Sequence, residues 1–352
     1  HHRTARRDRA PVMGSTTPGL VCGHHHLYSA LARGMPAPPT HPTNFIEILE
    51  QVWWRLDVAL DEEMIRWSAM LGATEALLCG TTGIIDHHES PSAIEGTLSI
   101  IADACAEVGV RVSCAYGVTD RHGSAEATRG LKENERYLRG GGRGMVGVHA
   151  AFTCRDETLR DAADLAADLG VGVHIHVAEG IADRDAGLRL EALATDDWLL
   201  VHCVHLDRPL RGTIAHNPRS NMNNGVGYAA PSTRSNPVVL GTDGIGADMF
   251  EEARLAYARL REFDVGTAPD VVWSWLDNGY RFFPECRDDR VEFNYDHADS
   301  AWHTAFTPGV RALNVTLASG EVVLRDGLPT RVDVDEVRAK AAEQATRLFN
   351  KL

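Results

Sequence analysis

The chain has 352 residues, 44% of them hydrophobic and 24% charged, with 32 glycines and 15 prolines. That is the composition of a folded globular protein, and it excludes collagen-like and disordered classes. The 35 lysines and arginines against 49 acids leave a net charge of −14 with histidine neutral, so a nucleic-acid partner held by phosphate neutralisation is excluded as the main function.

The chain opens on a basic run, Arg3, Arg6, Arg7 and Arg9, which reads equally as a frayed end and as a signal. No apolar h-region follows it, and nowhere does the chain approach the ~20 apolar residues of a membrane span. A soluble cytoplasmic protein with no membrane partner is the expectation. The seven cysteines (22, 79, 105, 114, 154, 203 and 286) are scattered with no C-x-x-C pair, which argues against a disulfide framework and against a cysteine-rich zinc site.

In chain order, Gly19–Cys22 reads as a first strand, followed by a long insert from Leu27 to about Asp61 that contains PAPPTHPTN and Trp53-Trp54. Apolar β-branched runs then alternate with amphipathic helical stretches. The strands are Thr82–Asp86, Val110–Tyr116, Met145–Ala151, Val171–Val177, Trp198–Cys203, Gly212–His216 and Pro237–Thr242. Between them lie helices at Ser92–Val108, Ala125–Leu138, Asp156–Leu169 and Arg184–Leu193. Eight short buried strands separated by helices predict an α/β fold, a (β/α)₈ TIM barrel.

After the eighth strand come a helix at Met249–Phe263, an apolar stretch at Val271–Phe283 whose Trp273 and Trp275 read as core or interface, strands at Ala312–Leu317 and Glu321–Leu324 that look like a hairpin, and a helix over about Val334–Leu352. The expected organisation is a barrel over 18–285, with 1–17 plus 305–352 forming the remnant of a small β domain and a C-terminal helix. Two intervals, His202 to His216 and Tyr228 to Pro237, are too short for crossovers of about a dozen residues. Either the barrel is trimmed there or the numbering runs over missing residues, and the second is the expectation.

The 17 histidines are clustered, and the clusters fall at strand ends, which in a barrel open into one mouth. In PGLVCGHHH, alternation aims His24 and His26 to one side and His25 away. VHIHVAE carries His174 and His176 with Glu179 just beyond, and His174, deeper in the strand, reads as core packing. His202 and His205 lie on opposite faces of VHCVH, so only one looks inward. Asp243 ends LGTDG, while Asp248 is better placed to cap the helix at Met249. Three imidazoles and one carboxylate with an open position suit one catalytic divalent ion, zinc or else iron.

PGLVCGHHHLYS, HIHVAE, LLVHCVHL, IAHNPRSNMNN and LGTDGIGADMFEE resemble the amidohydrolase superfamily in its cytosine-deaminase and chlorohydrolase-like (ATZ/TRZ) branch. LARGMP, WWRLDVALDEE, GTTGIIDHHESPSAIEG, VTDRHG, HAAFT and HNPRSNMNNGVGY are most similar to the SsnA-type aminohydrolases within it. The resemblance covers nearly all of 18–265. It implies His24, His26, His176 and Asp243 as metal ligands, Glu179 as proton shuttle, His202 as the group that orients the attacking water, and His149 on the substrate side. No lysine occupies the fourth strand end, so one metal is expected. Two departures matter: only 17 residues precede Pro18, and RDDRVEFNYDHADSAWHTAFTPGV replaces the relatives' link to their last strands, so the small β-sandwich is expected to be incomplete.

The leading functional expectation is hydrolytic deamination of a heterocycle, a purine, pyrimidine or relative. Opening of a cyclic amide, or displacement of another leaving group, uses the same machinery. A catalytically silent metal-binding barrel is the remote alternative, against which the intact Glu179 argues. Pocket candidates are His88, Asp120, Arg121 and His149, and the Leu27–Asp61 insert is read as a lid or a subunit contact. The resemblance is open to a homo-oligomer.

Overall fold

The computed structural model describes residues 14–306 and 309–352, so the basic run lies outside the described residues. The chain begins with β1 (Thr16–Thr17) and β2 (Leu20–His26), then α1 (Phe45–Ile48), a π-helical turn over Leu49–Trp53, α2 (Trp54–Ala59) and α3 (Glu62–Leu78). It continues through β3 (Thr81–His88), α4 (Thr97–Val108), β4 (Arg111–Tyr116), α5 (Ser124–Arg139), β5 (Val146–Ala150), α6 (Asp156–Leu169), β6 (Val173–Val177), α7 (Ala186–Leu190) and β7 (Leu199–His202). Then come β8 (Thr213–His216), α8 (Pro218–Asn223), and an eighth barrel strand split into β9 (Val238–Leu240) and β10 (Asp243–Gly244). Asp61 and Asp248 cap α3 and the later helix α9 (Met249–Phe263) by accepting main-chain N–H groups. Glycines 109 and 170 end α4 and α6 in the left-handed conformation.

β2, β3 and β4 pair in parallel, as do β5 through β9. Bridges from Cys114 to Gly144 and from Val118 to Val148 join β4 to β5, and β10 pairs with β2 through Asp243 and His25, so the ring closes. Inside the ring Val21, Ile85, Leu199, Val201, Ala215 and Val239 form one apolar core, closed from below by Phe283. Gly83 is required there, since a Cβ would lie 3.0 Å from the Phe283 ring. The larger core lies between the strands and the helical shell. Burying an aromatic plug of this size contributes about 2–3 kcal/mol.

The described chain bridges both short intervals without a crossover helix. β7 passes to β8 through residues 203–212 with no helix, and Leu206 and Leu210 cover the outer face instead. β8 reaches β9 through α8 and a short turn at Pro231–Thr233.

Beyond the barrel follow α10 (Pro269–Asp277), β11 (Arg290–Phe293), α11 (Ala301–Thr304), β12 (Ala312–Thr316), β13 (Val322–Arg325), β14 (Leu328–Pro329) and α12 (Val334–Phe349). The β appendage is one antiparallel sheet, β1-β11-β12-β13-β14. β11 falls in neither of the two units expected from the sequence, and residues 16–17, which read poorly as a strand, pair with it. α12 returns to α3, where Arg347 bonds Asp61 at 2.9 Å. Among the described residues no helix is long and apolar enough to cross a membrane.

Candidate metal centre

Local irregularities aim the site residues into the mouth. Val21 faces inside the ring, so strict alternation would send His24 and His26 outward. The β2–β3 register shifts between Cys22 and His25 and reverses the phase. In β7, alternation from Leu199 and Val201 would turn His202 out, but φ +70° at His202 and +55° at Cys203 bring the ring back over the mouth. Asp243 sits at φ +57° and Ala178 at +47°. Left-handed backbone at non-glycine residues costs about 1–3 kcal/mol each and persists only where packing holds it.

The result is a cluster of His24, His26, His176 and Asp243, all buried. Asp243 Oδ1 lies 3.2 Å from His24 Nε2 and 3.1 Å from His26 Nε2. His26 Nδ1 donates to the His87 carbonyl at 2.6 Å and His176 Nδ1 to the His149 carbonyl at 2.7 Å. Each Nε2 is thereby left with a lone pair, and the two face each other at 3.2 Å. Such an arrangement of neutral donors around a carboxylate fits a divalent cation. Burial pulls His24 and His176 well below the usual imidazole range. Burial pushes Asp243 upward, but the imidazoles of His24 and His26 outweigh it and hold the carboxyl well below its usual range.

His174 is more than filler. Its Nε2 meets His24 Nδ1 at 2.8 Å, orienting that ring from behind. Ser220 Oγ donates to Asp243 Oδ2 at 2.5 Å. His202 Nδ1 donates to Asn221 Oδ1 at 2.7 Å, so its Nε2 carries a lone pair 3.4 Å from Glu179 Oε2 and 3.9 Å from Asp243 Oδ2. Burial and the charge of Asp243 push Glu179 well above the usual carboxylate range.

A cavity of about 270 Å³ opens on this cluster. Phe45, Leu49, Trp53 and Trp54 cover it, so the insert is a lid. Of the four pocket candidates, only His149 lines the cavity. Alternation in β3 turns His87 inward, 4.6 Å from the His176 ring, and His88 outward, where it bonds Ser90 at 2.8 Å. Asp120 is taken up by Arg155. Arg121 lies behind the wall, paired with Asp57 at 2.6 Å and Glu89 at 3.2 Å. Glu89, which lines the cavity, was missed although it follows the HH pair directly, as were Asp57 and Ser220. Trp275 is buried, and Trp273 stacks on Phe250.

Residues 16–276 match the profile of the amidohydrolase family, and the chain belongs to that family. A 5'-deoxyadenosine deaminase of Methanopyrus kandleri is 34% identical over 274 aligned positions, covering 68% of this chain and 60% of the relative. A 5-methylthioadenosine/S-adenosylhomocysteine deaminase of Pelotomaculum thermopropionicum is 28% identical over 386 positions, covering 95% of this chain and 86% of the relative. That alignment is longer than the 352-residue chain, so the relative carries segments absent here. A zinc-bound adenosine deaminase of Xanthomonas campestris superposes with a TM-score of 0.77 at 21% identity, over 96% of this chain and 87% of its own. The zinc complex of the atrazine chlorohydrolase TrzN of Arthrobacter aurescens gives 0.78 at 19%, over 95% and 88%. These two likenesses establish the shared fold.

Proposed function

We propose that the protein is a cytoplasmic, metal-dependent aminohydrolase that deaminates a small purine-like heterocycle, with one zinc ion held by His24, His26, His176 and Asp243, iron being the second candidate. The observation that carries this reading is Glu179, an acid 3.4 Å from His202 Nε2 at the rim of the four-ligand cluster. A structural metal site has no use for it. The curated relatives are named as adenosine-type deaminases, and seven buried, unpaired cysteines suit a reducing compartment.

A divalent ion at the cluster would supply a water acidic enough to give hydroxide near neutral pH. His202, bonded through Nδ1 to Asn221, holds Nε2 toward the attacking water and aims its oxygen. Asp243 Oδ2 takes the water proton, and Glu179 gives its proton to the ring nitrogen beside the reacting carbon. The departing amine takes the one proton held on Asp243 and leaves as ammonia, while the C–OH proton returns to Glu179 as the carbonyl forms. His149 borders the ring on the far side, and the lid excludes bulk water. No nucleic acid or membrane takes part, and self-association into a homo-oligomer is compatible with this reading.

Metal analysis coupled to an ammonia-release screen over amino-purines, amino-pyrimidines and triazines tests the proposal. Ring opening without ammonia, or release of another leaving group alone, would overturn it.

A further inference from the structure

The cavity over the cluster is rich in acid and poor in available positive charge. Glu89, Glu179 and Asp243 all border it. The one arginine among the described lining residues, Arg219, is turned to its own wall: its Nε donates to Glu252 Oε1 at 2.8 Å and its Nη2 to the Gly244 and Thr242 carbonyls. No lysine is among the described lining residues. A second guanidinium, Arg121, lies just behind. It stacks on Trp54, its Cζ 4.8 Å from the ring centroid, and its Nη2 is held by Asp57 and Glu89. Glu89 lines the cavity and Arg121 does not, so the carboxylate stands between the ligand and the guanidinium. A neutral donor left for a ligand is the buried, unpartnered Trp54 Nε1–H.

We propose that this site selects amino-heterocycles whose substituents are uncharged and rejects those bearing a phosphate or carboxylate, with Glu89 as the specificity-determining side chain. The proposal rests on the deaminase reading and narrows its substrate class. An anion brought into a water-poor cavity loses its hydration and must find a compensating cation or donors. Here it would meet carboxyl groups, and the nearest guanidinium is already paired. A neutral ring and its neutral arm incur no such cost. Specificity of this kind comes from what the wall withholds as much as from what it offers.

The test compares substrates with one ring and different 5' substituents on the metal-loaded wild-type protein: 5'-deoxyadenosine, 5'-methylthioadenosine, adenosine 5'-monophosphate and S-adenosylhomocysteine. The methylthio compound controls for bulk. The expected result is a kcat/KM for the two neutral nucleosides at least about a hundredfold above that for the two carboxylate- or phosphate-bearing ones. In Glu89→Gln, which removes one of the carboxyl oxygens that can hold the Arg121 guanidinium and leaves Arg121 in place, that ratio should shrink at least about tenfold. Wild-type activity on the monophosphate within tenfold of that on 5'-methylthioadenosine overturns the proposal, as does an unchanged ratio in Glu89→Gln. If no compound releases ammonia, the deaminase reading falls separately, and selectivity is read from quenching of tryptophan fluorescence. Equal binding of the neutral and phosphorylated ligands, or binding of neither, then overturns the charge inference as well.

Discussion

His26 and His176 meet Nε2 to Nε2 at 3.2 Å, each with its Nδ1–H given to a carbonyl on the neighbouring strand. Two rings fixed in this way present Nε2 to one point beside Asp243, where a divalent cation would be held by all three groups. The protein should therefore hold one divalent ion per chain. Chelation should lower its melting temperature by several degrees, since a ligand specific to the folded state at a hundredfold excess over Kd stabilises it by about 2.7 kcal/mol. Elemental analysis and calorimetry check this; two ions per chain, or an unchanged melting curve, would count against the site.

Glu179→Gln keeps the shape of the side chain and removes its proton chemistry. Activity should fall by about 10²–10⁴-fold with metal content unchanged. Parallel loss of the ion would instead assign Glu179 to holding it.

His174 bonds His24 from behind at 2.8 Å. Replacing it with Phe removes the partner of His24 Nδ1 and should weaken metal binding by about 10–100-fold in chelator competition. His174→Gln, which can still accept, should recover part of that. Identical affinity in the two variants would mean that His174 only packs.

Gly180 lies beneath the lid, and a Cβ there would stand 2.7 Å from Phe45 Cδ1. Gly180→Ala should push Phe45 off the cavity and raise KM by about an order of magnitude with kcat little changed, the pattern of lost uniform binding. A fall in kcat alone would place the effect on the chemistry and not on the lid.

Asp86 is fully buried. One oxygen accepts the Leu27 N–H at 2.7 Å and the other has no partner. Burial pushes its carboxyl up to about 7 from 3.8. A folded-state value above the unfolded one means that the contribution to stability is fully present below about pH 4, declines through the interval, and is gone above about pH 7, at about 1.4 kcal/mol per unit of difference. Asp86→Asn keeps the Leu27 bond and should flatten the pH dependence of the melting temperature between about pH 4 and 7. An undiminished slope in the variant would show that other groups set it.

The alternation of apolar strands and amphipathic helices was enough to place eight barrel strands, and α6 and α9 ran over the residues that periodicity assigned, Asp156–Leu169 and Met249–Phe263. Simple alternation failed where backbone irregularities intervene. It chose His88 over His87, having no anchor for the phase of β3, and it could not show that a register shift in β2 and a left-handed turn at His202 bring those rings inward. Asp57 and Arg121 come together from positions 64 residues apart, through a lid whose docking no local pattern encodes. β11 was hidden because RVEF is short and sits in a polar stretch.

The left-handed residues Ala178, His202 and Asp243 gather at one end of a ring that is otherwise regular. That end stores local strain while the apolar interior and its Phe283 plug hold the opposite end. Heat should then act on the molecule in two stages, inactivating the catalytic rim reversibly before the barrel itself gives way. A bound ion, by tying the ends of three strands together, narrows the interval between the two.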